Sequence, residues 1–287
     1  MSLTSSSYIY IFASIQLVKV VIGIALNLII IHSFIRRRLV RKKIPNILLF
    51  NQAIADLFNG VVYGVSYVTY TLLIEFKDEN AEDTSPFVRF FRSTTLFSSI
   101  LLYAVIALER FLAITYPLRH RVHVRKKHIW LAVVISWLIT TIVSVLNILF
   151  ESMVRFTIMS LIILINIILF VATFIKAKYS THLQAGESNQ LNINFKKQLR
   201  LTMVFFAMFM AFTIVYIPLL TCSLLGVLKH EVSIIWYEAI NSLLLLTSVL
   251  NPILTITFKK ELRPCMGNRE SNSNRSSIEI QTIQPST

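Results

Sequence analysis

The chain has 287 residues, of which 55% are hydrophobic and only 15% are charged, and its formal net charge is +14. A soluble domain carries about a quarter charged residues, so this composition excludes an ordinary water-soluble fold and indicates a protein embedded in lipid. A strongly basic chain can bind nucleic acid. Here the basic residues lie in short segments between apolar stretches, which excludes nucleic-acid binding as the explanation of the charge.

Seven stretches are long and apolar enough to cross a membrane, since about 20 mostly apolar residues span the hydrocarbon core. In chain order they are Tyr8–Ile35, Ile44–Ile74, Phe87–Tyr116, Ile129–Phe150, Met153–Ile175, Leu201–Leu228 and Ser233–Phe258. Each is predicted to be helical, because lipid cannot hydrogen-bond a free backbone amide or carbonyl. Spans four and five are separated only by the region around Glu151 and Ser152, but about 47 residues are too many for one crossing. The predicted fold class is an all-α membrane protein, a bundle of seven transmembrane helices over residues 8–258.

Basic residues mark one side of this bundle. The loops Arg36–Lys43 and Arg119–Lys127 are rich in lysine and arginine, whereas Glu75–Asp83 on the other side is acidic. The positive-inside rule then places residues 1–7 outside the cell and the polar, disordered tail of residues 267–287 in the cytoplasm. We therefore expect a multi-pass plasma-membrane protein whose basic surface can also contact anionic membrane lipid.

Polar residues lie near the middle of several spans, where they are costly and therefore indicate function. The carboxylate is Asp56 of span two, and the neutral members lie in spans one, three and seven: Asn27, Ser99, Thr247, Ser248 and Asn251. If the spans pack side by side, these residues can surround the carboxylate at one membrane depth. Such a cluster suits Na⁺ or a proton. A hydrogen-bonded network that only holds the helices together is the structural alternative.

Two prolines and one arginine are candidates for moving parts. Pro218 in span six and Pro252 in span seven each remove a helix hydrogen bond and favour a kink, which is either a static bend or a joint. Arg110 lies about one turn from the basic end of span three, beside Glu109, which can partly offset its charge. Such an arginine either marks the membrane interface or can release its partner and act as a switch.

These residues, in order and each in the corresponding span, resemble the motifs of the rhodopsin-like (class A) G protein-coupled receptors. The matching positions extend over all seven spans and include Asn27, Asp56, Glu109-Arg110-Phe111, Pro117-Leu118, Trp137, Pro218 and Asn251-Pro252. The resemblance implies that an extracellular ligand favours an outward swing of span six, which opens a cytoplasmic cavity to a heterotrimeric G protein. It allows arrestin and a receptor kinase as further partners.

The resemblance also implies roles for individual residues. The G protein coupling switch comprises Glu109, Arg110, Phe111, Asn251, Pro252 and Thr255. The sodium site comprises Asn27, Asp56, Ser99, Thr247, Ser248 and Asn251, and an allosteric sodium ion is the one cofactor that it allows. Pro218 is the hinge of span six, and residues 259–266 form a short cytoplasmic amphipathic helix. Cys265 is placed like a palmitoylation site, with an unmodified cysteine as the alternative.

The chain departs from the family pattern at several positions. Thr255 stands where the span-seven motif usually ends in tyrosine, Tyr216 where span six usually has tryptophan, and Gln198 where an acid often pairs with the arginine of span three. We expect Gln198 to raise basal activity. The family's outer cysteine in span three, a longer second outer loop and a span-five proline are missing, which resembles the melanocortin-like branch. A divergent invertebrate orphan receptor fits equally well.

A ligand pocket is predicted at the outer ends of the spans. Arg89 and Arg92 share a helix face and would attract an anionic group. Arg92 falls where amine receptors of the family carry an aspartate, so an amine ligand is disfavoured. An internal salt bridge to Glu238 or Glu75 is the structural alternative. The residues that could complete the pocket are Tyr63, Tyr67, Tyr216 and Asn241.

Two other functions compete with a signalling receptor. A secondary transporter could use Asp56, although such carriers often show inverted repeats and glycine-broken helices, and this chain has six glycines. A receptor-like protein that no longer couples is suggested by Thr255 and Tyr216. An enzyme is not expected, because the spans contain neither a His/Glu metal set nor a Ser/His/Asp set.

Overall fold

A computed structural model describes residues 3–66, 68–69, 86–183, 189–227, 234–259 and 262. The α-helices in this part of the chain are α1 Leu3–Arg36, α2 Ile44–Phe58, α3 Pro86–Thr115, α4 Pro117–His123, α5 Lys126–Leu183, α6 Asn189–Val227 and α7 Ile234–Phe258. A 3-10 turn, Leu39–Arg41, precedes α2, and a π-helical turn, Asn59–Gly64, follows it. The predicted all-helical architecture is confirmed.

Most of the predicted spans have a helical counterpart. Five described segments are long and apolar enough to cross a membrane: Tyr10–Arg36, Ser93–Thr115, Lys126–Leu149, Phe156–Tyr179 and Gln198–Cys222. Within α7, Leu245–Phe258 is apolar but shorter. Span two begins with α2 and continues into the π-helical turn, and its predicted end lies outside the described residues. The chain is therefore a multi-pass membrane protein.

The boundary between spans four and five differs from the sequence prediction. We expected two helices separated around Glu151 and Ser152, but the backbone is helical without a break from Lys126 to Leu183. The expected break between the two helices is therefore wrong. Helical hydrogen bonding through this region leaves fewer backbone groups to be satisfied by lipid, which cannot hydrogen-bond them.

The two halves of α5 nevertheless reverse direction. A straight helix of 58 residues would be about 87 Å long. Lys126 at its start lines one cavity with Gln198 of α6. Near its other end, the ring centroid of Phe174 lies 4.9 Å from that of Phe206, about two turns along α6 from Gln198. Both halves therefore run between the same two poles of the bundle, as two membrane crossings require.

Aromatic rings fill the interior between α3, α5 and α6. The ring of Tyr103 lies 6.0 Å from that of Phe209 and 5.2 Å from that of Phe212, and Phe170 of α5 stacks on Phe209 at 5.3 Å. Phe212 stacks in turn on Tyr216 at 3.9 Å. These ring contacts pack α6 against α3 and α5 in the middle of the bundle.

A glycine allows α1, the π-helical turn and α7 to approach closely. A Cβ atom on Gly64 would lie 2.6 Å from a side-chain carbon of Val20 and 3.3 Å from one of Leu245. A π-helical turn inside a helix is rare and often occurs at a functional site. Here the turn begins at Asn59, whose side chain reaches α7.

Candidate functional site

A buried ion pair lies at the basic end of α3. Arg110 is 1% exposed, and its Nε and Nη2 atoms donate hydrogen bonds of 2.5 Å to the two carboxylate oxygens of Glu109. His120 of α4 lies 3.1 Å from the same carboxylate. As expected, Glu109 offsets the charge of Arg110, and bidentate pairing makes the contact geometrically specific.

The same arginine also contacts α6. Its Nη1 atom donates a 2.8 Å hydrogen bond to Oε1 of Gln198, and its guanidinium lies 5.9 Å from the ring centroid of Phe205. The sequence places Gln198 where an acid often pairs with this arginine, and the structure brings the two side chains together. A neutral amide therefore makes the polar contact between Arg110 and α6.

A large cavity opens beside this contact. Its volume is about 920 Å³. We call it the basic cavity, and its lining residues are Lys42, Lys43, Ile44, Pro45, Asn46, Glu109, Arg110, His120, Arg121, Val124, Arg125, Lys126, Gln198, Arg200, Leu201, Val204, Phe258 and Lys259. Six elements of the chain meet there, so a movement of α6 changes the width of the cavity.

A second buried group surrounds Asp56, which is 2% exposed. Asn251 of α7 donates its Nδ2 hydrogens to both carboxylate oxygens, at 3.1 and 3.3 Å, and Gln52 donates to Oδ1 at 3.3 Å. The hydroxyl of Tyr103 donates to Oδ1 of Asn251 at 3.1 Å, which orients the Asn251 amide toward Asp56. Asn251 is one of the residues that the sequence places in a candidate polar cluster around Asp56.

A neighbouring set of amides joins α1, the π-helical turn and α7. Asn27 donates to the backbone carbonyl of Ser248 at 3.0 Å, and Asn59 donates to the Ser248 hydroxyl at 2.9 Å. Together with Asp56, Gln52, Asn251 and Tyr103, we call these residues the carboxylate cluster. Ser99 and Thr247 are also buried, in α3 and α7, while the hydrogen bonds to the Asp56 carboxylate come from Asn251 and Gln52.

The carboxylate cluster contains acceptor atoms without donors. Oδ1 of Asn27, Oε1 of Gln52 and Oδ1 of Asn59 are buried, and none accepts a hydrogen bond from the residues that the structure describes. Buried acceptors of this kind are costly unless a water or ion satisfies them. One carboxylate with several neutral oxygens is the ligand chemistry of a small, hard cation.

Sequence reasoning missed Gln52, Asn59 and Tyr103. Gln52 lies four residues before Asp56, which places both on one helix face, and that spacing is a usable signal. Tyr103 follows Ser99 by four residues on α3 and shares its face in the same way. Asn59 lies three residues after Asp56, so the i, i+3 spacing was a usable signal for it as well.

The remaining residues of the predicted coupling switch and of the span-six hinge lie in helices. Phe111 is half-buried at the end of α3, and Thr255 is buried in α7. Pro218 and Pro252 both lie inside helices, α6 and α7, as predicted. Their proposed roles in switching remain predictions.

Most of the predicted ligand pocket lies outside the described side chains. Tyr67 lies outside the described residues, as do the side chains of Tyr63, Arg89, Arg92 and Asn241. Tyr216 is described, and it is buried against Phe212. Most of the predicted helix of residues 259–266, including Cys265, also lies outside the described residues. The pocket, the helix and the lipidation site all remain predictions.

Comparison with known proteins shows similarity to one receptor family. The family described as 7 transmembrane receptor (rhodopsin family) matches residues 26–160. Neuropeptide receptor 15 of Caenorhabditis elegans is 28% identical over 118 residues, which cover 41% of this chain and 34% of that receptor. Prokineticin receptor 2 is 25% identical over 137 residues in Bos taurus and 26% identical over 137 residues in Homo sapiens, covering 44% of this chain and 35% of each receptor.

The matched region spans about a third of the length of these relatives. The family match over residues 26–160 contains Asn27, Asp56 and Arg110, the family positions of spans one to three. The family consists of receptors and not of enzymes. The melanocortin-like branch remains a prediction. Residues 26–160 of this chain are similar to the rhodopsin family of seven-transmembrane receptors.

Proposed function

We propose that this protein is a G protein-coupled receptor, which binds an extracellular ligand and activates a heterotrimeric G protein. The observation that carries the proposal is the position of Arg110. It is held by Glu109 and Gln198 beside a cavity large enough to admit part of a partner protein. Similarity to the receptor family supports this reading over a transporter that uses Asp56.

The proposed mechanism is a movement of α6 that breaks its contact with α3. An outward swing about Pro218 would separate Gln198 from Nη1 of Arg110 and widen the basic cavity. One hydrogen bond of this kind contributes about 1–3 kcal/mol to stability. A ligand therefore needs only a modest difference in affinity between the two states to shift their populations.

The ligand class is proposed from the relatives and from the sequence. The matched receptors are named for neuropeptides and for prokineticin, which supports a peptide ligand. Arg89 and Arg92, near the outer end of α3, would favour an anionic group on it and disfavour an amine. The positive-inside rule supports an extracellular N-terminus, a cytoplasmic tail and residence in the plasma membrane.

We also propose that the carboxylate cluster holds a sodium ion in the inactive state. The support is the buried Asp56 carboxylate together with the donor-free oxygens of Asn27, Gln52 and Asn59. Arrestin, a receptor kinase and palmitoylation of Cys265 are further proposals that rest on the family resemblance alone.

Coupling is tested by basal G protein dissociation in cells that express the wild type or Arg110→Ala at equal surface levels, across a panel of G protein subtypes. We expect a wild-type signal that Arg110→Ala changes. Lys127→Ala is the matched control, because Lys127 is an exposed cation at the start of α5 that does not line the basic cavity. An equal effect of the control would exclude a specific role for Arg110. A silent wild type would favour the receptor-like protein that no longer couples.

A further inference from the structure

The basic cavity has an excess of positive charge. Eight of its lining residues are lysine or arginine, and Glu109 is the one carboxylate among the described lining residues. That carboxylate is already bound by Arg110. The cavity therefore contains seven further cationic side chains and no second carboxylate from the described lining to balance them.

Four of these cations have no partner within the described structure. Lys42 precedes α2, Arg121 belongs to α4, Arg125 lies between α4 and α5, and Arg200 belongs to α6. The side chains of all four are exposed and make no ion pair or hydrogen bond with the residues that the structure describes. They come from separate parts of the chain but line one cavity.

Membrane topology does not explain this convergence. The positive-inside rule requires basic residues on the cytoplasmic side, but exposed lysines and arginines satisfy it wherever they lie in the loops. Like charges around one cavity repel each other, and the repulsion is relieved when an anion enters. The arrangement therefore favours a ligand with several negative charges.

The size and walls of the cavity limit the ligand. A volume of about 920 Å³ is within the range of about 300–1,000 Å³ that is typical of small-molecule sites. Ile44, Val124, Leu201 and Phe258 supply apolar walls between the cations. Guanidinium groups pair with phosphate oxygens in a bidentate manner, and ammonium groups act as point charges.

We propose that the basic cavity binds a compact polyphosphate, either the headgroup of an inner-leaflet phosphoinositide or a soluble inositol polyphosphate. The two sources share the same chemistry, a ring that carries clustered phosphate groups. The inference does not rest on G protein coupling, because binding can be measured with the purified chain alone. A bound anion would occupy the space beside Arg110 that the proposed G protein would enter.

The test uses the full chain in nanodiscs of neutral phosphatidylcholine. The probes are a short-chain phosphatidylinositol bisphosphate and inositol trisphosphate, with short-chain phosphatidylserine as the control for a single charge. The cavity variant is Lys42→Gln/Arg121→Gln/Arg125→Gln. The control variant, Arg36→Gln/Lys127→Gln/Lys178→Gln, removes three exposed cations that do not line the cavity.

We expect both phosphorylated probes, or the lipid probe alone, to bind the wild type more tightly than phosphatidylserine. The cavity variant should weaken that binding about 100-fold, since each basic residue near an anionic group contributes about 1 kcal/mol. The control variant should remain within about threefold, because salt screens distant exposed charges. If both probes bind, soluble inositol polyphosphates are also ligands of the cavity. If the lipid probe alone binds, the cavity is a site for membrane headgroups.

A protection experiment on the wild type tests the proposal without requiring that any variant folds. The bound probe should protect the Lys42 amine from acetylation and leave Lys127 reactive, as quantified by mass spectrometry. The proposal is overturned if neither phosphorylated probe binds, if the control variant loses as much affinity as the cavity variant, or if Lys42 is not protected.

Discussion

Replacing Gln198 by glutamate tests whether the contact between Arg110 and α6 controls basal activity. The amide oxygen of Gln198 already accepts a 2.8 Å hydrogen bond from Nη1 of Arg110. Gln198→Glu keeps the shape of the side chain and turns the acceptor into a carboxylate. The variant should therefore strengthen the one described polar contact that holds α6 against this arginine, and so favour the closed state.

The expected gain is small because of the surroundings. Gln198 is exposed, so water and salt screen the new charge. Arg110 is already paired with Glu109, and the second carboxylate would be repelled by the first. We estimate a gain of about 0.5–1 kcal/mol, which is typical of an exposed ion pair. Basal activity should fall about two- to fivefold, if it is proportional to the open population.

The assay is ligand-free G protein dissociation at matched surface expression, with Gln198→Ala measured in parallel. The alanine variant removes the hydrogen bond, so it should raise the basal signal, and the wild type should lie between the two variants. In membranes, the difference in basal signal between Gln198→Glu and the wild type should shrink as ionic strength rises, because salt screens the new ion pair. A glutamate variant with an unchanged or higher basal signal would show that this contact does not restrain α6.

The other predictions concern the carboxylate cluster and the helix packing. Asp56→Asn removes the charge of the cluster, so agonist binding should lose its sensitivity to sodium in a titration against potassium, and unchanged sensitivity would argue against an ion there. Tyr103→Phe leaves Oδ1 of Asn251 without its donor, which should destabilise the protein by about 1–3 kcal/mol and lower Tm in detergent. A Tyr103→Phe variant as stable as the wild type would show that the hydrogen bond is dispensable. Gly64→Ala would place a Cβ atom 2.6 Å from a side-chain carbon of α1, so it should destabilise the protein by about 1–3 kcal/mol. Gly60→Ala, with its nearest contact at 3.1 Å, should lower Tm less, and the reverse order would contradict the packing described.

The sequence predicted the membrane architecture because hydrophobicity and charge placement are properties of whole segments. It also predicted the approach of Gln198 to Arg110 and of Asn251 to Asp56, since both pairs occupy family positions. These predictions depend on residue type and order along the chain, and a single sequence contains that information.

Other features depend on how neighbouring helices meet, which a single sequence does not contain. The continuous helical backbone at Glu151 was not predicted, because a break was expected where the chain reverses direction. The π-helical turn that begins at Asn59, whose side chain donates to Ser248, was not predicted from the sequence. Tyr103 was missed for a different reason, because an aromatic side chain within a span is usually a core residue. Its hydroxyl reaches Asn251 only when α3 and α7 pack together.

The stacked rings of α6 have a consequence for pharmacology. Tyr216 contacts Phe212, Phe212 contacts Tyr103, and the hydroxyl of Tyr103 holds the amide that binds Asp56. A ligand that displaces Tyr216 would therefore act on the Asp56 carboxylate through four successive contacts. Coupling free energies between two sites are reciprocal. If the proposed sodium ion binds at Asp56, it changes agonist affinity by the same factor by which the agonist changes ion affinity, and the salt in a screening buffer then affects which compounds are found.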